Sequence, residues 1–137
     1  MVDQASSPKE IVRAFYESYN DHDLPTSFPK YLSPNVVGHL PSMGVTNTRD
    51  SWLAMDQPTF EAFPDFSLEI FDQVAEGNKV ATRFKMGGTQ KGDFQGLPAS
   101  GKTAFVHATT IDWVENGQIV EHWIDLDVFG WLQQLSA

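Results

Sequence analysis

The chain has 137 residues, 41% apolar and 12% aromatic, with no cysteine and a formal net charge of −9. That length fits one domain (1–137) around one substantial core, and the composition is that of a folding chain rather than a disordered one. The acidity repels phosphate backbones and the nine Lys and Arg form no patch, which argues against a nucleic-acid partner; without thiols there are no disulfides, thiol catalysis or zinc–thiolate sites.

From the N-terminus, Met1–Ser7 lacks the basic flank and apolar stretch of a secretory signal. No apolar run approaches the ~20 residues of a membrane helix. A cytoplasmic protein with no membrane partner is expected. Ser7-Pro8-Lys9-Glu10 has the form of a capping box with proline in the first turn. Ile11, Val12, Phe15 and Tyr19 follow at helical spacing, which predicts a helix over 8–19. A short helix over 28–32, an extended 36–40 and a loop at 41–44 come next. Asn47 or Thr48 can cap a third helix whose buried stripe is Trp52, Leu53, Phe60 and Phe63, divided by Pro58.

Beyond Asp65 the period changes from helical to alternating. Strands are expected over 68–75, 79–86, 103–114 and 118–127, with a bulge or bend at Gly87-Gly88 and a Gly- and Pro-rich loop over 92–101. Asn116-Gly117 is the strongest hairpin signal in the chain. A last helical turn falls over 129–135. Helices first and antiparallel strands second predict an α+β fold, with the helices on one face of a curved sheet.

Specific residues then resemble those of a known family. Glu121-His122-Trp123, Asp127 and Gly130-Trp131-Leu132-Gln133-Gln134-Leu135 are similar to the C-terminal signature of the SnoaL-like polyketide cyclases. The glycine-bounded Gly96-Leu97-Pro98-Ala99-Ser100-Gly101, the first-helix segment Phe15-Tyr16-Glu17-Ser18-Tyr19-Asn20, His39 and Phe63-Pro64-Asp65-Phe66 resemble further family segments, in one order over residues 8–135. The resemblance implies the nuclear-transport-factor-two-like cone: a curved antiparallel or mixed sheet, N-terminal helices packed on its concave side, and one apolar pocket. It also implies ring closure of a polyketide-like substrate by intramolecular aldol chemistry, without metal or cofactor. Fold alone does not fix that function.

Alternate strand residues share a face. Glu121, Trp123, Asp125 and Asp127 therefore lie together, as do Phe105, His107, Thr109, Ile111 and Trp113. Across the hairpin the two odd-numbered sets can form one face. That face, read as the pocket wall, offers carboxylates and a histidine among aromatics. A desolvated carboxylate can remove a proton beside a carbonyl. Asp127 is the expected base, at the position where the resemblance places an acid, with Asp125 second and His107 as donor or orienting group. Trp123, Trp113, Phe105 and Tyr16 would shape the pocket, His39 would touch substrate by its family position, and Arg83 would pair with an interior carboxylate. His122 is read as structural and His22 as a surface residue. No H-x-x-x-H or H-E-x-x-H spacing is present and no metal site is expected. The alternatives are an epoxide hydrolase of the limonene type, requiring Arg83 inside the pocket, and a non-catalytic binder of a small apolar ligand. A homodimer is expected in each case, because a sheet with an exposed apolar face needs cover.

Overall fold

The computed structural model describes residues 6–136. Helix α1 (Pro8–Glu17) starts on the capping box: the Ser7 hydroxyl accepts from the Glu10 N–H at 3.1 Å and the Glu10 carboxylate accepts from the Ser7 N–H at 2.8 Å. A 3₁₀ turn (Ser18–Asp21) ends at His22 in the left-handed region. Helix α2 (Leu24–Tyr31) begins four residues before the expected Phe28. Asp23 caps it by accepting from both the Thr26 N–H and hydroxyl, and Pro25 is pre-set for the first turn.

Strand β1 (Leu32–Leu40), a 3₁₀ turn (Pro41–Met43) and the unforeseen short strand β2 (Val45–Asn47) follow. Thr48 caps α3 (Arg49–Asp56), and Pro58 separates it from α4 (Thr59–Ala62). Strands β3 (Ser67–Glu76), β4 (Lys79–Thr89), β5 (Thr103–Glu115) and β6 (Gln118–Leu126) precede α5 (Val128–Ser136).

The six strands form one open mixed sheet in the order β2-β1-β6-β5-β4-β3, with β1 and β6 parallel and every other pair antiparallel. The N-terminal helices cover its concave face, α1 over β3 to β5 and α3 over β1. Phe15 is the hub of the core between them, fully buried with its ring centroid 5.1–6.2 Å from those of Tyr16, Tyr19, Phe28, Tyr31 and Trp52. Aromatic pairs at such spacing add to the burial term.

Asn116 and Gly117 both have positive φ (52° and 80°), the condition for the tight turn that matches strand twist. The turn sets Glu115 opposite Gln118, odd against even; the register then shifts by one residue, and Trp113 faces Glu121. That bulge is what puts the odd-numbered residues of both strands on one face. At Gly87-Gly88 the expected bulge is absent, because the β4–β5 register runs unbroken through Gly87↔Phe105 and Gly88↔Ala104. The glycines are needed for close approach instead: a Cβ on Gly87 would collide with the Ala104 carbonyl oxygen, and one on Gly88 with the Asp65 carboxylate.

Candidate active site

The alternation settles which face is which. On β5, Ala104, Val106, Ala108, Thr110, Asp112 and Val114 are buried, and on β6 Ile119 and His122 are buried. The even-numbered side of both strands near the cavity thus faces the helices. The odd-numbered side is the outer, convex surface of the sheet. His107, Asp125 and Asp127 are exposed there, in a shallow groove shared with Arg83 and Ser42. Trp123 is 40% exposed, and Phe105 and Trp113 are half-buried. The residues do come together as their parity required, but not around the apolar cavity. Both faces carry apolar side chains, and the larger aromatics lie on the outer one.

Other roles follow from that placement. Asp127 accepts from the Gly130 N–H at 3.0 Å, capping α5. Arg83 is exposed and pairs with Asp72 at 3.0 Å, which holds the Asp72 carboxyl below the usual carboxylate range and raises the guanidinium. The epoxide-hydrolase reading needed this arginine inside the cavity and loses its basis. His39 borders the cavity, but its imidazole stacks on Trp123 at 3.9 Å and its Nε2 lies 2.9 Å from Glu121, both on the outer side. His22 is half-buried rather than superficial, stacked on Phe60 and 2.8 Å from the Phe66 carbonyl. Tyr16 lines the cavity.

The cavity between helices and sheet has two lobes that share Tyr19, Leu40, Met55, Asp56, Met86 and Leu126. In the first lobe stands the group that the sequence reading set aside. His122 is 4% exposed, and its Nδ1 is 2.7 Å from Oδ1 of Asp112, which is fully buried. The Tyr16 hydroxyl donates to Oδ2 of the same carboxylate at 2.5 Å. Burial and the neighbouring carboxylate push the Tyr16 phenol well up, so it remains a donor. In the neutral tautomer that directs Nδ1–H at Asp112, the lone pair falls on Nε2, which makes no hydrogen bond among the described residues. A carboxylate that fixes the tautomer of a histidine in this way prepares it to accept a proton.

Trp52 links this triad to a second one. Its indole stacks on His122 at 4.4 Å, and its Nε1–H donates to Asp56 Oδ2 at 2.9 Å. Gly38 gives the ring its room, since a Cβ there would stand 3.2 Å from it. The Tyr19 hydroxyl donates to the same Asp56 oxygen at 2.7 Å. Burial raises the Asp56 pKa, and its two hydrogen-bond donors offset only part of that rise. Burial likewise raises Tyr19. The cavity wall thus holds a histidine oriented by a buried carboxylate and a carboxyl whose pKa burial raises, joined by one indole. Among the described residues no three His, Asp or Glu side chains are grouped as metal ligands would be.

The signal for this site was in the sequence. Asp112 and His122 pair across the hairpin only once the register has shifted, but each is the one ionisable residue of a mostly apolar alternate series.

The model of the SnoaL-like polyketide cyclase family matches residues 9–135. The chain belongs to that family. No curated protein matches it in sequence. Among solved structures, IdmH of Streptomyces antibioticus, a candidate polyketide cyclase, is 31% identical with a TM-score of 0.85, over 96% of this chain and 100% of that one. TsrD of Streptomyces laurentii is 30% identical with a TM-score of 0.82, over 100% of this chain and 99% of the other. AclR of Streptomyces galilaeus, a candidate hydroxylase, is 24% identical at a TM-score of 0.84, over 94% and 95% of the two chains, and shares the fold. This SnoaL-like chain therefore has the cone architecture of those neighbours, and its cavity stands under the helices as the fold requires. Among the described residues no helix is long and apolar enough to cross a membrane.

Proposed function

We propose that the protein is an acid–base catalyst of carbon–carbon ring closure or isomerisation on an apolar, polyketide-like carbonyl compound, working from the concave cavity. The observation that supports this best is the Tyr16–Asp112–His122 relay facing Asp56 across Trp52. His122 Nε2 takes a proton from the carbon beside a carbonyl. The electron pair left on that carbon moves into an enolate, and the protonated Asp56 carboxyl donates to its oxygen. The enolate carbon then attacks a second carbonyl of the same molecule. The new alkoxide takes its proton from the His122 imidazolium, and Asp56 recovers its own as the first carbonyl re-forms. Protons balance, and the chemistry uses only side chains of this chain.

The test needs no natural substrate. 2-Tetralone exchanges its activated protons for deuterium in D2O, and proton NMR follows the loss. The protein is expected to accelerate exchange, and His122→Gln to reduce the acceleration about 100-fold, within the range of one general base. Asp127→Asn is expected to keep it within about twofold. Loss in Asp127→Asn with full activity in His122→Gln would return the chemistry to the outer face. A ligand bound by the cavity without any exchange would favour the non-catalytic reading.

We also infer a homodimer formed through the outer face. Of seven exposed large apolar residues among the described ones, Val37, Phe71, Val74, Ile111 and Trp123 lie on it, and Val74, Ala81, Ile111, Trp123 and His39 form one row across five strands. The cations there are engaged in place, while Asp125 and Asp127 stand exposed beside them with no salt bridge among the described residues. Arg83 pairs with Asp72, Lys85 with Glu69 at 3.8 Å, and Lys79 sits over Trp113.

A further inference from the structure

The second lobe of the cavity is lined by Met43, Met55, Thr59, Phe60, Phe66, Phe94, Gln95 and Trp131, beyond Asp56 from His122. One of the residues of that lining carries a buried polar atom without a partner. Among the described residues, two buried side-chain polar atoms have no hydrogen-bond partner, Ser27 Oγ and Trp131 Nε1. Ser27 lies outside both lobes, whereas Trp131 lines the second one.

Trp131 is 4% exposed on α5, with its ring 5.5 Å from Phe63 and 4.8 Å from Phe94. The lobe's carboxylate, Asp56, already accepts from Tyr19 and Trp52, and the phenyl rings packed on the indole offer no acceptor. A buried donor left unpaired is costly, and native interiors keep few of them. Phenylalanine would fill much the same space without that cost. Phe94, which packs on the indole and lines the same lobe, belongs to the loop over 92–101.

We propose that Trp131 is a substrate-binding residue whose indole N–H receives an acceptor oxygen at the end of the substrate remote from the reacting carbonyl. The substrate is then elongated, with one carbonyl between His122 and Asp56 in the first lobe and a second oxygen held in the second lobe. This inference rests on the cavity being the reaction site, as proposed above. The indole fixes which way round the molecule lies, and so which carbon meets His122.

Two probes of one skeleton test it: 2-tetralone, and 6-methoxy-2-tetralone, which adds an oxygen at the far ring. The methoxy probe is expected to bind the wild type about 10-fold more tightly, the increment of one hydrogen bond. Trp131→Phe is expected to remove that preference while holding 2-tetralone within about twofold. In ¹⁵N-indole spectra of the unaltered protein, the Trp131 Nε1–H resonance is expected to move downfield with the methoxy probe and not with 2-tetralone, a signature that packing alone does not produce. Equal affinity of the wild type for both probes, a preference retained in Trp131→Phe, or an unmoved resonance would each overturn the assignment, as would failure of both probes to bind. Deuterium exchange separates the two claims: a preference lost in Trp131→Phe without any exchange by the wild type keeps the binding role and removes the catalytic one.

Discussion

Asp56 carries the most informative charge in the molecule. Its pKa is raised in the folded protein, so its contribution to stability is complete below the unfolded carboxylate value of about 3.9 and is lost as pH rises through the folded value. Asp56→Asn removes that titration. The urea midpoint of the variant is therefore expected to gain on the wild type between pH 4 and pH 7, and a constant difference would contradict the raised pKa. At this scale the sequence was half legible. Parity on β5 and β6 was readable, but its inside was not, because Phe105, Trp113 and Trp123 made the outer side look like a pocket wall. Asp112 looked like one carboxylate among 18 acidic residues; only the register shift beside Trp113 shows it meeting His122.

Elements follow local chemistry closely where caps and turns are strong. The capping box at Ser7, the break at Pro58 and the turn at Asn116-Gly117 all act as their residue types dictate. Strand β2 was illegible because three residues without a strong pattern become a strand only by pairing with β1. Gly87-Gly88 misled because glycine marks close approach as readily as a bulge. Asp127 belongs to this scale. Asp127→Ala is expected to lower stability by about 1 kcal/mol through loss of the α5 cap, read from the urea midpoint, with cavity binding of 2-tetralone unchanged. A drop in binding without a drop in stability would give Asp127 a role in the site.

For the whole molecule, the order of elements was enough to give an α+β fold with helices on one face of a curved sheet, and the resemblance to the SnoaL-like family added the cone. What the linear pattern did not carry was sidedness: both faces of this sheet are partly apolar, one because it holds the core and cavity, the other because, on the present reading, it meets a second copy. Ile111 stands 42% exposed in the middle of that outer row. Sedimentation velocity is expected to show a dimer, and Ile111→Glu a monomer with an unchanged fold by circular dichroism, since two buried carboxylates would then face each other. A monomeric wild type would end the dimer proposal without touching the cavity.

The central claim is that the concave side binds the ligand and the convex side does not. Four tryptophans divide between them: Trp52 and Trp131 line the cavity, while Trp113 and Trp123 stand on the outer face. One titration of ¹⁵N-indole-labelled protein with 6-methoxy-2-tetralone reads all four. The account predicts that the Trp52 and Trp131 resonances move with a common saturation curve while those of Trp113 and Trp123 stay in place. Movement of Trp113 and Trp123 with Trp52 unmoved would contradict it, and would put the ligand on the outer face of the sheet.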